Sequence, residues 1–275
     1  MFDFKGQNCI LQFETAASRI TSKISTIDGV TGIVFLGGLA RGYADKSSDL
    51  DITVFLDRDD DSLRRRIRSV GLDEQKASGV DLDLEVHCLE EYERKHWSEV
   101  ERWDFSTAKV AFDPNGMMTK MIGAKLSVPE GFWIRRVVLC AEYMKWYCCP
   151  PCDNVSTIVE TSVDRGNLAA AQHCLNYGFD LLLRTLFALN KTFLPPPKWR
   201  LIYSRNLSWL PRNYESGLAN LLTIKSVSRK DVSRRIGLIR SLWSDVTAKM
   251  KNDMGLSSDA VSRYYVEKHL HQTLG

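Results

Sequence analysis

At 275 residues, with 44% hydrophobic and 26% charged, the chain reads as an ordinary globular protein of one large or two average domains, which excludes a disordered or fibrous chain. The net charge of +3 is too small to argue for nucleic-acid binding. No apolar run approaches the roughly 18 residues of a membrane span, and the opening Met1-Phe2-Asp3-Phe4-Lys5-Gly6 has no apolar signal core, so a cytoplasmic protein with no membrane attachment and mostly reduced cysteines is expected.

In chain order, residues 8–26 place Ile10, Leu11, Phe13, Ala17, Ile20 and Ile24 at the spacing of an amphipathic helix. Apolar strands are expected at 32–36 and 50–56, on either side of a Gly37-Gly38 turn. An acidic turn at 57–61 leads into a helix over 62–70, which turns Arg64, Arg65, Arg66 and Arg68 to solvent and stops at Gly71. A third strand follows at 80–89, a helix at 90–100 and a short strand at 108–112, closed by the turn Asp113-Pro114-Asn115-Gly116. Helices and strands alternate up to this point, as in a small mixed sheet covered by helices. The period then becomes helical, with helices expected within 126–149 and 165–190 and at 214–222, 229–250 and 258–270. The expected fold class is α+β: a mixed-sheet N-terminal domain over 1–115, then an all-α helical bundle over 116–275.

The chemistry concentrates between Gly37 and Ile52. Residues two apart on a strand share a face, so Asp49 and Asp51 project together while Leu50, Ile52 and Val54 face a core. Two adjacent carboxylates repel unless a cation lies between them. Hard oxygen ligands suit Mg²⁺, which takes one or two carboxylates plus substrate phosphates. The Gly37-Gly38 pair lets backbone N–H groups approach a phosphate without a side chain in the way. A second strand alternates Asp81, Asp83 and Glu85 with Leu82, Leu84 and Val86, so a further carboxylate can reach the same centre.

The run Gly-x-x-Ala-Arg-Gly-x-Ala-Asp-x-x-Ser-Asp-x-Asp reads from Gly37 to Asp51, and Asp83-Leu84-Glu85-Val86 follows. This pattern resembles the nucleotidyltransferase superfamily with the DNA polymerase β-like palm, and within it the small bacterial aminoglycoside- and lincosamide-type enzymes with a helical C-terminal domain. Gly38 stands where that family often has Ser. The resemblance implies a palm-like fold for the N-terminal domain, with substrate bound in a cleft between domains. It implies Mg²⁺-dependent transfer of a nucleoside monophosphate, AMP from ATP or another triphosphate, to a hydroxyl of an acceptor. Asp49 and Asp51 are then the metal ligands. Gly37, Gly38, Arg41 and Ser48 contact the triphosphate, as does Lys198, which matches a lysine in a loop after a long helix. Arg41 has a plainer reading as the ion-pair partner of Asp45. Glu85 is the first choice to deprotonate or orient the acceptor hydroxyl; Asp83 is the second, with a third metal ligand as its other reading.

Several features have a structural reading beside the functional one. Asp180 and Arg184 are spaced as a helical i,i+4 ion pair, and Asn190 as a helix cap. His87 shares the acidic face as a rim residue. Cys148, Cys149 and Cys152 lack the second ligand pair of a zinc site. Trp133, Tyr143, Trp146, Trp199 and Trp209 would line an acceptor pocket or fill the helical core. The acceptor is expected to be a small molecule, such as an antibiotic. The alternatives are a protein, a tRNA end, which the modest charge argues against, or a nucleotide sensor without turnover. Monomer and homodimer are both open.

Overall fold

The structure, a computed structural model, describes residues 6–152 and 154–273. The chain divides into two compact units, Met1–Val128 and Pro129–Gly275.

In chain order the first unit comprises α1 (Ile10–Ile24), β1 (Val30–Phe35), α2 (Gly37–Arg41), β2 (Leu50–Leu56), α3 (Asp61–Ser78), β3 (Leu82–Cys88), α4 (Leu89–Arg94), α5 (Glu99–Ser106), β4 (Lys109–Phe112) and α6 (Met117–Leu126). Its four strands form one mixed sheet in the order β3-β2-β1-β4. β1 runs antiparallel to β2 and β4, and β2 runs parallel to β3 through the α3 crossover. Strand alternation splits the core in two. Leu50, Ile52, Val54 and Leu56 point to the face covered by α1 and α3, where Phe13, Ile20, Ile24 and Ile67 meet them. Val34 and Phe55 point to the opposite face, under Leu89, Tyr92, Trp97, Phe105, Met118 and Met121 from the α4 to α6 side. Each such side chain contributes about 1.5–3 kcal/mol when fully buried.

Three local expectations are corrected. Residues 37–41 form a short helix rather than a turn. α3 does not stop at Gly71; it continues to Ser78 and is closed by Gly79 in the left-handed conformation. Gly71 marks a close approach instead, since a Cβ there would lie 2.7 Å from Leu84 Cδ2. The helix expected over 90–100 is broken at Lys95, and α5 restarts from a capping box in which Ser98 and Glu101 satisfy each other's backbone.

The second unit is helical: α7 (Glu130–Tyr147), α8 (Ile158–Asp164), α9 (Leu168–Leu189), α10 (Pro197–Ser204), α11 (Tyr214–Leu222), α12 (Arg229–Met254) and α13 (Ser258–Thr273). α9 is its axis, with Leu175, Leu182 and Leu186 fully buried and α7, α8, α10 and α12 packed against it. Buried Arg235 of α12 donates to Leu221 O at 2.8 Å, to Asn176 Oδ1 at 2.6 Å and to Gln172 Oε1, joining α9, α11 and α12. Asp180 accepts from Arg184 at 2.7 Å and from Arg200 at 2.5 Å, the second bond fixing α10 to α9. Asn190 ends α9, and its side chain bonds Leu186 O at 2.8 Å and Trp209 N at 2.8 Å. Trp133 is core, packed on Phe193 at 5.2 Å between ring centroids. Trp146 is 62% exposed. Among the described residues no helix is long and apolar enough to cross a membrane.

Candidate active site

The acidic residues meet because β2 and β3 are parallel neighbours in register. Asp51 pairs with Asp83, Thr53 with Glu85 and Phe55 with His87, so all six share one sheet face. Asp49 lies just before β2. One carboxylate oxygen each from Asp49, Asp51 and Asp83 fall within 4.8 Å of one another, which among the described residues is the one group of three such side chains spaced to hold a metal. Asp49 and Asp83 are exposed and Asp51 is half-buried.

The electrostatics follow from this crowding. Burial pushes the Asp51 carboxyl up to about 6; the neighbouring Asp49 charge adds to the rise, Arg41 opposes it, and Asp83 and Asp104 add smaller pushes. Asp83 is also raised, by burial first and then by Glu85 and Asp49. Three convergent carboxylates form a donor set suited to a hard divalent cation.

Gly37 and Gly38 hold the opposite wall. Gly37 has φ +57°, and a Cβ on it would lie 1.5 Å from Asp51 Oδ2; a Cβ on Gly38 would lie 2.6 Å from Tyr43 O. The Leu36 N–H donates to Asp51 O at 3.1 Å, tying α2 to the head of β2. Ser48 closes the loop between them: its Oγ accepts from Asp45 N at 3.0 Å, and its N–H donates to Asp45 O at 3.0 Å.

Asp104, rather than Asp45, is the acid found beside Arg41 at ion-pair distance. Asp45 is engaged by Ser47 N at 2.9 Å and Tyr43 Oη at 3.2 Å. The Arg41 guanidinium instead lies 3.4 Å from Asp104 and 4.7 Å from the centroid of the Trp103 ring, both on α5. Sequence reading did not find these two residues. The available signal was an arginine inside an acidic motif, which needs an acid partner that spacing alone does not locate.

Glu85 lies two register pairs beyond Asp83, on the same sheet face. Its carboxylate meets His87 Nε2 at 2.9 Å, and the His87 ring packs 4.7 Å from Tyr92. Lys198 belongs to the second unit, exposed in the first turn of α10 rather than in a loop, with its Nζ 5.6 Å from the Trp199 ring. The cysteines are all free thiols; Cys148 caps α7, and burial raises both its thiol and that of Cys149.

Residues 17–110 match the sequence profile of the nucleotidyltransferase domain family. That segment runs from α1 to β4 and contains every acidic residue of the site. No curated protein matches the chain. Among solved structures, a nucleotidyltransferase-like protein from Exiguobacterium sibiricum overlaps 92% of this chain and 78% of its own, at 14% identity and a TM-score of 0.42. One chain of a complex between tri-AMPylated HEPN toxin and MNT antitoxin from Shewanella oneidensis overlaps 49% of this chain and 98% of its own, at 16% identity and a TM-score of 0.31. Overlaps this slight assign neither substrate nor partner. The profile match and the acidic site it encloses make residues 17–110 a nucleotidyltransferase domain.

Proposed function

We propose that the chain transfers a nucleoside monophosphate, AMP from ATP in the first instance, to a hydroxyl of a small-molecule acceptor, releasing pyrophosphate and depending on Mg²⁺. The observation that carries this reading is the Asp49, Asp51 and Asp83 cluster, within 4.8 Å, inside the nucleotidyltransferase domain. These three residues would hold the cation. When bound, it supplies charge neutralisation to the phosphates and to the departing pyrophosphate.

The chain's own residues do the rest. Gly37 lets the α2 backbone sit against the Asp51 carboxylate and Gly38 lets it sit against Tyr43 O; the N–H groups of both are phosphate donors in this reading. Arg41 and Ser48 are the side-chain phosphate contacts of this reading. Glu85, outside the triad and 59% exposed at its side chain, accepts the proton of the acceptor hydroxyl. The acceptor oxygen bonds to the α-phosphorus as the bond from that phosphorus to the pyrophosphate oxygen breaks. Asp83 then serves as a metal ligand rather than as the base.

The test is pyrophosphate release with each nucleoside triphosphate and Mg²⁺, over a panel of hydroxyl-bearing antibiotics, tRNA and proteins, comparing wild type with Asp51→Asn. Release that requires a small-molecule acceptor and vanishes in the variant supports the reading. Release with tRNA or a protein only moves the acceptor to that class. Nucleotide binding without release under any condition favours a sensor, and no nucleotide binding at all overturns the site.

A further inference from the structure

α5 contributes nothing to the acidic triad, yet its middle turn reaches the site. Trp103 is 3% exposed, and its ring lies 4.7 Å from the Arg41 guanidinium carbon. The next residue, Asp104, approaches Arg41 Nη1 at 3.4 Å. Arg41 is held from two directions, by a ring face and by a carboxylate, and its side chain is only 9% exposed. α5 is itself fixed by the Ser98–Glu101 capping box, by a Lys95–Glu101 ion pair at 2.6 Å and by the packing of Trp103 and Phe105. At its other end, Arg41 closes α2, the helix that opens at Gly37 against the Asp51 carboxylate. α2 is only five residues long, so Arg41 lies about one helical turn from the glycine that abuts Asp51.

An arginine side chain gives up rotamer entropy when it is fixed in one geometry. A guanidinium already held in place loses less of it on meeting a phosphate, and so binds more tightly. Aromatic stacking holds the guanidinium plane while its charge persists. We propose that Trp103 and Asp104 are positioning residues that hold Arg41 at the rim of the acidic triad for a phosphate group of the bound nucleotide. This inference rests on the nucleotidyl-transfer reading above.

The test measures binding of a non-hydrolysable ATP analogue with Mg²⁺ by calorimetry, and binding of Mn²⁺ alone by electron paramagnetic resonance. The chains compared are wild type, Arg41→Gln, Asp104→Asn, Asp104→Glu, Trp103→Leu, Asp51→Asn and the double variant R41Q/D104N. Asp104→Asn is expected to weaken analogue binding about two- to fivefold, the worth of one partly exposed ion pair, with Mn²⁺ binding unchanged. Asp104→Glu should recover most of that loss. The double variant should bind no worse than Arg41→Gln alone, because Asp104 acts through Arg41. Trp103→Leu should also weaken the analogue and spare Mn²⁺, with circular dichroism reporting its fold. Unchanged analogue binding in Asp104→Asn, or losses that add in full in the double variant, would overturn the proposal. If Asp51→Asn loses Mn²⁺ while Asp104→Asn is silent, only this inference fails. If wild type binds neither Mn²⁺ nor the analogue, the nucleotidyl-transfer reading fails with it.

Discussion

The backbone of Gly37 abuts the carboxylate of Asp51 so closely that a Cβ on the glycine would lie 1.5 Å from Oδ2. The contact joins the two ends of the signature motif, the glycine that opens α2 and the aspartate inside β2. It also gives the glycine two reasons to be there, a positive φ and a close approach.

Gly37→Ala should therefore cost more in the site than in the fold. The left-handed backbone charges the new side chain about 1 kcal/mol, a loss the first unit tolerates. The methyl group, however, must displace the Asp51 carboxylate. The expected outcome is a loss of Mn²⁺ affinity of at least about tenfold, near 1.4 kcal/mol, with a modest fall in melting temperature. Calorimetric Mn²⁺ titration beside thermal unfolding checks both.

The raised Asp51 pKa makes a signed prediction. Its folded value of about 6 lies above the ordinary 3.8, so between those pH values the folded chain holds a proton that the unfolded chain has released. The metal-free protein then loses stability as pH rises through this window, and Asp51→Asn should melt roughly 2–4 °C above metal-free wild type at pH 8. A divalent cation reverses the sign, because it binds the ionised carboxylates. Stabilisation of wild type by Mg²⁺ or Mn²⁺ should be full near pH 8 and fade as pH falls through 6. Melting curves at several pH values, with and without the cation, decide this; metal stabilisation that persists at pH 5 contradicts the assignment.

Asp83 and Glu85 should separate by function. Asp83 belongs to the triad and Glu85 pairs with His87 outside it. Asp83→Asn is expected to lose metal binding, as Asp51→Asn does. Glu85→Gln should keep metal and nucleotide affinity and lose acceptor-dependent turnover by roughly 10²-fold or more, the usual contribution of a general base. Equal loss of Mn²⁺ in both variants would move Glu85 into the metal set.

What the sequence made legible was governed by local alternation. The strict pattern from Asp81 to His87 specifies a strand with one acidic face, and β3 has that burial pattern, with Asp83 and Glu85 exposed and Val86 buried. Pairing is a different matter. The strand period places Asp83 and Glu85 on one face, but only the β2–β3 register sets Asp83, not Glu85, opposite Asp51. The second face of β2 was equally hidden. Thr53 and Phe55 are buried because α4 to α6 lie over them, and the only trace of that layer in the strand is Phe55, which breaks the alternation within Val54-Phe55-Leu56. Gly71 answers a neighbour's proximity, to Leu84, and not the end of a helix, whereas Gly37 combines a close approach to Asp51 with a positive φ where α2 opens. Arg41 found its partner 63 residues away, beyond the reach of spacing rules.

The last prediction concerns the support behind the site. Glu74 of α3 is fully buried and meets Lys23 at 2.8 Å and Arg19 at 3.6 Å, both on α1, so the two helices covering the Leu50–Leu56 core are clasped by one carboxylate. The two cations are about half exposed and the acid is not. Removing the acid strands charges that water can reach, whereas removing its nearer cation strands a buried anion. Lys23→Met should accordingly destabilise the first unit more than Glu74→Gln, by about 2–3 kcal/mol against about 1 kcal/mol. Urea unfolding followed by tryptophan fluorescence compares them. A Glu74→Gln variant less stable than Lys23→Met would show that the carboxylate itself, rather than its compensation, holds α1 to α3.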